Sequence, residues 1–330
     1  MTFFLRRIAF YAVTLWAAVS LNFLIPRLLP GDPVSIMLAR LQRNGTISPA
    51  MERSVRVLLG SSGDTSMFQD YLDYWGRLFR GDLGVSVTRF PTPVADLIGG
   101  ALPWTVGLIG VSTVIAFVIG IGLGAWAGWK RGTWVDAIIP STTLLQSLPY
   151  FWLALLFVFL FAVSWGIFPI IGGYDVFNFN GPELSWAFVG SVIRHATLPG
   201  LTIVVSSVGG WLLGMRNMMV ATLSEDYVTT AEAKGLRPRR VFMTYATRNA
   251  VIPSLTGFGV SLGFVVSGSL IMERVFSYPG LGKLMIDAVG NNDYSLMQGT
   301  FLIITLAVLA ALFIMDLVQG LIDPRTRHHG

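Results

Sequence analysis

Apolar residues fall into six blocks: Ile8 to about Leu29, Leu102 to Trp129, Val135 to Ser164, Ala196 to Val220, Ala250 to Met272 and Leu296 to Leu321. Each holds about 20 residues or more, enough for a helix to cross a hydrocarbon layer of about 30 Å. The pattern predicts an all-α integral membrane protein with six transmembrane helices, because lipid leaves a spanning backbone no outside hydrogen-bond partner. The first block follows Arg6 and Arg7 and invites reading as a secretory signal. It is longer than the apolar core of a cleaved signal and no A-x-A-like site follows, so a retained span is expected. Asn22, Pro26 and Arg27 lie toward its far end, where Arg27 can snorkel to the interface.

The blocks divide the chain into four parts. Residues 1–30 are the N-terminus and first span, 31–100 a polar insertion, 101–322 a five-helix core that includes a loop at 221–249, and 323–330 a tail. The insertion balances its charges, with seven arginines from Arg40 to Arg89 set against seven acids from Asp32 to Asp96. Within it, Ser66 and Gln69 have capping-box spacing, Phe68, Tyr71, Leu72, Trp75, Leu78 and Phe79 share a helical face, and Gly81 ends the run. This amphipathic helix is expected either to lie on the membrane surface or against a partner, or to pack on the other spans, the second being the simpler outcome.

Span two carries Gly120, Gly124 and Gly128 at four-residue spacing, a pattern that lets another helix backbone come close. Span three is interrupted by Pro140 and Pro149. Thr142 and Gln146 stand one turn apart next to the carbonyl that Pro149 frees, so these polar groups are expected to line a translocation path or to bond a neighbouring helix. A loop from about Gly166 to Arg194 is rich in Gly, Asn and aromatics.

The most polar and basic run is Ser224 to Pro253. Ser224 suits an N-cap, Glu225 and Asp226 a first turn, Lys234 a last turn, and Gly235 a left-handed stop, which predicts a helix of about three turns. Pro238 suits the start of a second helix bearing Arg239, Arg240 and Arg248 before the chain turns apolar at Ala250. The expected product is a compact helical knob; the alternative is an ordinary solvated loop.

Composition supports the membrane assignment: 53% of residues are hydrophobic, 12% are charged and the mean hydropathy is +0.66, against about 25% charged in soluble domains. The net charge of +5 does not point to nucleic acid, because the basic residues are spread over span flanks. Arg6, Arg7, Lys130, Arg131, the six Arg and Lys residues from Arg216 to Arg248, Arg325 and Arg327 fall on one side. The positive-inside rule places that side, with both termini and the knob, in the cytoplasm, and leaves the 31–100 insertion extracytoplasmic. The compartment expected is the cytoplasmic membrane of a bacterium or archaeon.

Resident chemistry is sparse. The three lysines, Lys130, Lys234 and Lys283, have no phosphate-cradling context, since Ser277 replaces the first glycine and Leu284 follows Lys283. Asp136 and Asp316, the acids within spans, sit near span ends rather than at the midplane where an ion relay is expected. There is no cysteine, and the three histidines, His195, His328 and His329, form no metal-binding or catalytic pattern. No catalytic residue, bound cofactor or metal is expected in this chain.

Several runs together carry a family likeness: Leu5-Arg6-Arg7, Leu29-Pro30-Gly31-Asp32-Pro33, Arg80-Gly81-Asp82-Leu83-Gly84, Leu148-Pro149 with Phe151-Trp152, Asp226-Tyr227-Val228, Ala233-Lys234-Gly235-Leu236, Arg248-Asn249-Ala250, Val275 to Gly282 and Asp323-Pro324-Arg325. In these the chain resembles, over nearly its whole length, the B-type permease subunits of oligopeptide- and dipeptide-type ABC importers.

That resemblance implies a type I importer permease fold, working by alternating access beside a second homologous permease, two ATPase subunits or domains that bind ATP and Mg, an extracytoplasmic solute-binding protein and membrane lipid. It implies that the knob is the coupling loop, with Ser224, Glu225, Asp226, Tyr227, Ala231, Glu232, Ala233, Lys234, Gly235, Arg239 and Arg240 at the ATPase contact. Thr229 and Thr230 replace the first two residues of the general E-A-A-x-x-x-G loop. Phe276, Ser277, Tyr278, Pro279 and Gly280 are expected to form part of an outer gate, or else a tight turn that only joins two spans. Sugar and peptide cargoes stand nearly even: Trp and Tyr enrichment and the run Gly214 to Met219 suit oligosaccharides, but interfacial belts explain the aromatics equally well. Nickel ranks third. The competing classes are a secondary carrier or channel that needs no ATP, and a membrane sensor without flux.

Overall fold

The computed structural model describes residues 2–28, 66–134, 147–267 and 269–322, with positions 38, 39, 42 and 49. Regular structure among the described residues is helical apart from one isolated bridge, Val85 to Pro93. The long helices are α1 (Thr2–Leu28), α3 (Val94–Trp129), α5 (Trp186–Leu223) and α12 (Tyr294–Ile322). All four are long and apolar enough to cross a membrane. Two of them start well before the apolar blocks do, α3 at Val94 rather than Leu102 and α5 at Trp186 rather than Ala196. Hydropathy marks only the stretch a bilayer would cover, whereas the backbone ladder continues until a cap ends it. For α5 that cap is Ser185, whose Oγ accepts from the Phe188 amide at 3.1 Å.

The described parts of the other two blocks are shorter pieces. Pro149 starts α4 (Tyr150–Phe157), which passes into a π turn at Val158–Ser164. Thr142 and Gln146 lie outside the described residues. The fifth block is broken. It comprises α9 (Ile252–Gly263), a 3-10 turn at Phe264–Ser267 and α10 (Leu270–Val275). Ser269 starts α10 by accepting from the Met272 amide at 3.4 Å.

The glycine stripe of α3 packs along α5. A Cβ on Gly120 would lie 2.9 Å from the Val208 carbonyl oxygen, one on Gly124 2.8 Å from Met215 Cβ, and one on Gly128 2.5 Å from Met219 Cβ. Real Cβ atoms do not approach so closely, so this pair of backbones requires glycine. Contacts advance in the same direction on both helices, which therefore run parallel, and the chain returns between them through α4. Helix α12 runs antiparallel to α1, with Asn22 beside Gln298 and Tyr11 beside Phe313.

The amphipathic helix of the insertion is α2 (Met67–Phe79). Its capping box forms, Ser66 Oγ accepting from the Gln69 amide at 3.2 Å, and Gly81 ends it at φ +71°. It packs on the spans rather than lying free. The packed face differs from the expected one: Tyr71, Tyr74, Trp75 and Leu78 meet Val19 and Phe23, while Phe68, Leu72 and Phe79 are exposed. Polar partners set this rotation. Asn22 Nδ2 donates to the Tyr74 hydroxyl at 3.1 Å and to the Gln298 carbonyl at 2.9 Å, and Gln298 Nε2 returns a bond to the Asn22 carbonyl at 3.1 Å. Asn22 is buried, so these bonds satisfy an amide that would otherwise be costly inside the fold.

The loop after α2 is pinned by a buried acid. Asp293 accepts from Ser86 Oγ at 2.5 Å, Thr88 Oγ1 at 2.6 Å and the Thr88 amide at 2.8 Å, and caps α12 through the Leu296 amide at 3.2 Å.

Candidate coupling hairpin and clamped turn

At the end of the bundle where α3 and α5 finish, the polar run folds into a helical hairpin. Its first helix, α6, covers Asp226–Ala233, two turns rather than three. Ser224 is not its N-cap: it closes α5, donating its hydroxyl to the Ala221 carbonyl at 2.7 Å. Glu225 takes the N-cap position without a side-chain bond, and Asp226 lies in the first turn. The two helices are separated by only two residues, Ser224 and the extended Glu225, which is why a good capping residue ended up closing the preceding helix. Gly235 has φ +71°, and the Leu236 amide reaches the Ala231 carbonyl at 3.3 Å, closing α6 with the glycine stop the sequence predicts.

Pro238 opens α7 (Pro238–Arg240), which continues through a π turn at Val241–Thr247 into α8 (Arg248–Ala250) and then α9. Val228, Ala231 and Val241 are buried and pack with Leu223, Leu236, Tyr245 and Trp129 at the end of α3. The hairpin is thus bolted to α3 and α5. Ala231, expected to admit a partner, is instead spent on this internal contact, and Ala233 is the small residue left exposed. Glu225, Asp226, Tyr227, Glu232, Lys234, Arg239 and Arg240 face outward, and their charged groups make no ion pair among the described residues.

At the opposite end, the segment after α10 is a tight turn built around a carboxylate. Glu273 is wholly buried. Its Oε1 accepts from Thr105 Oγ1 at 2.7 Å, and its Oε2 from the Gly282 amide at 2.7 Å and the Lys283 amide at 3.1 Å. These amides begin α11 (Leu281–Gly290), so the acid sits where a helix N-terminus favours negative charge. A Cβ on Gly280 would strike the carboxylate, and one on Gly282 would lie 2.9 Å from Leu270 Cα. Ser277 takes φ +46°, Phe276 and Tyr278 are buried, and Pro279 and Gly280 carry the chain into α11. Trp104 stacks on Tyr174 at 5.8 Å and meets Tyr278 edge-on at 5.7 Å, tying the loop before α5 to the turn. In that loop the Phe177 amide and the Asn178 side chain hold the Asp175 carboxyl below its ordinary pKa.

The apolar pattern does not single out Glu273, because it ends the fifth block at Met272 and leaves the acid in a loop. The neighbouring pattern of two glycines, Gly280 and Gly282, was its available signal, since exposed amides at a helix start attract a carboxylate.

Residues 120–328 match the family described as the binding-protein-dependent transport system inner membrane component. The chain belongs to that family. Over 99% of its length it is 33% identical to the di/tripeptide transport system permease protein of Pseudomonas aeruginosa strain UCBPP-PA14, covering 99% of that protein. It is 32% identical to the dipeptide transport system permease protein of Escherichia coli K12, over 99% of the chain and 98% of the relative. It is 31% identical to the oligopeptide transport system permease protein of Bacillus subtilis 168, over 99% of both.

The chain is therefore a multi-pass inner-membrane permease subunit of an ABC importer of the oligopeptide and dipeptide type. It is a transport component rather than an enzyme, and works with a separate ATPase and a solute-binding protein. The oligosaccharide reading drawn from aromatic content finds no support among these relatives.

Proposed function

We propose that this permease imports short peptides as one half of a heterodimer with a second, homologous permease, crossing the membrane six times with both termini and the hairpin in the cytoplasm. The similarity to three peptide permeases along nearly the whole chain supports the cargo class. The asymmetry of the hairpin supports its role: an apolar face is committed to α3 and α5, while a charged face that makes no ion pair among the described residues is left for another protein. Two ATPase subunits or domains, carrying ATP and Mg, would grip that face and drive alternating access. The basic residues gathered at the hairpin end support the orientation.

The rigid contact of α3 with α5 supports transmission over the thickness of the bundle. Thr142, Gln146 and Pro149 are proposed to line the path, and the turn from Phe276 to Gly280 to serve as an outer gate that moves as a unit on its carboxylate clamp. Reconstitution tests the function. Vesicles holding both permeases, the ATPases and the binding protein should accumulate a labelled dipeptide only with ATP. Flux through this chain alone without ATP would replace the reading with a secondary carrier. Label distances at Ser277 that stay constant through the ATP cycle would remove the gate.

A further inference from the structure

A cavity of about 260 Å³ opens beside the clamped turn, at the end of the bundle away from the hairpin. Its walls come from three parts of the chain: the pinned loop contributes Arg89, the start of α3 contributes Asp96 and Trp104, and α11 contributes Lys283 and Asp287. The charges are not equally available. Asp287 is already engaged, by Arg274 at 2.8 Å and Lys283 at 2.8 Å. Arg89 and Asp96 are exposed, and neither side chain has a partner among the described residues. Among the described residues, the cavity thus presents one unspent guanidinium and one unspent carboxylate beside an aromatic wall.

We infer that this cavity is a receiving site for a short zwitterionic peptide, with Arg89 taking the terminal carboxylate and Asp96 the terminal ammonium. The inference rests on the proposal that the permease imports peptides and that this end of the bundle faces outward. Guanidinium recognises carboxylate by paired hydrogen bonds, and the opposite charge on Asp96 supplies the complementary half of a zwitterion. The Trp104 ring offers an apolar surface for a peptide side chain. Volume favours the same class: the cavity is below the range of about 300–1,000 Å³ usual for drug-sized ligands, which suits one or two residues and not an extended oligosaccharide. The walls are firmly set, because Asp293 pins the loop bearing Arg89 and Glu273 pins the start of α11.

The test uses the assembled membrane complex of both permeases and the ATPases in nanodiscs, without binding protein, and measures binding of dialanine, N-acetyl-dialanine and dialanine amide. Wild type should bind dialanine, with each blocked form weaker by about tenfold or more, the scale of a lost charge-assisted hydrogen bond. Arg89→Ala should abolish discrimination against the amide alone, and Asp96→Asn discrimination against the acetylated form alone. Equal binding of all three probes by wild type, or unchanged discrimination in both variants, would overturn the site. So would variants that lower only stimulation by the binding protein, which would make the cavity a protein-docking surface. ATP-driven dialanine uptake by the wild-type vesicles, with binding protein added, is measured in parallel. Uptake without discrimination in the binding assay rejects the cavity alone, and absence of uptake rejects peptide import as well.

Discussion

Thr105 donates its hydroxyl hydrogen to Glu273 Oε1 at 2.7 Å and accepts the Leu281 amide at 2.7 Å, so one hydroxyl joins α3 to both sides of the clamped turn. Thr105→Val keeps the shape and removes both bonds, leaving a buried carboxylate oxygen and an amide short of a partner. The expected cost is about 1–3 kcal/mol for each group left unsatisfied. Glu273→Gln retains an acceptor oxygen and should be milder than Glu273→Ala, which strands the Gly282 and Lys283 amides. Thermal unfolding of the purified complex checks the order Ala, then Gln, then wild type.

Gly124→Ala should impair packing of α3 on α5, because its Cβ would meet Met215 Cβ at 2.8 Å and the Leu212 backbone. Overpacking of this kind costs about 1–3 kcal/mol. Gly122→Ala, two residues away with no atom within 4 Å of its Cβ, is the matched control and should leave assembly unchanged. Yield of folded complex by size-exclusion chromatography separates the two.

Gly235→Val places a β-branched side chain at φ +71°, in a region that costs ordinary residues roughly 1–2 kcal/mol. The stop of α6 should shift and the charged face of the hairpin with it. Uptake and stimulated ATP turnover should both fall, while the permease still assembles in the membrane. Full coupling in this variant would contradict the docking role.

Arg239→Glu with Arg240→Glu reverses the exposed charge of the hairpin without touching Val228, Ala231 or Val241 beneath it. Association with the ATPase should weaken in the variant, and wild-type association should weaken as salt is raised, because exposed charges are screened over about 10 Å at 0.1 M. Co-purification across a salt series measures both. An ATPase partner retained equally in all conditions would place the contact elsewhere.

Asn22→Leu removes the bonds that the Asn22 side chain donates to the Tyr74 hydroxyl and the Gln298 carbonyl at the junction of α1, α2 and α12. Loss of about 1–3 kcal/mol is expected, concentrated on α2. Hydrogen exchange should therefore rise in residues 67–79 before it rises in α3 or α5, whose contact does not involve Asn22.

Local signals read well where neighbours in sequence do the work. The Ser66 cap, the Gly81 and Gly235 stops and the Pro238 start each rest on a few consecutive residues and are present in the fold, and four of the six apolar blocks form helices long enough to cross a membrane among the described residues. Glycine spacing announced that another backbone would come near α3, but only packing showed that it is α5, running parallel.

Ser224 went to the helix before it because α6 begins only two residues later. Ala231 went inward rather than outward, and α2 turned toward Tyr74, because each choice depends on a group distant in sequence. The same reason hid Glu273 and the cavity beside it. A carboxylate at position 273 becomes a clamp only when Thr105 and the start of α11 close on it. The amino-acid order by itself settled membrane residence, helical class and family, since these follow from apolar block length and local motifs. Tertiary contact alone decided which polar groups are spent within the fold and which stay available to another molecule, because burial and pairing are properties of assembled surfaces.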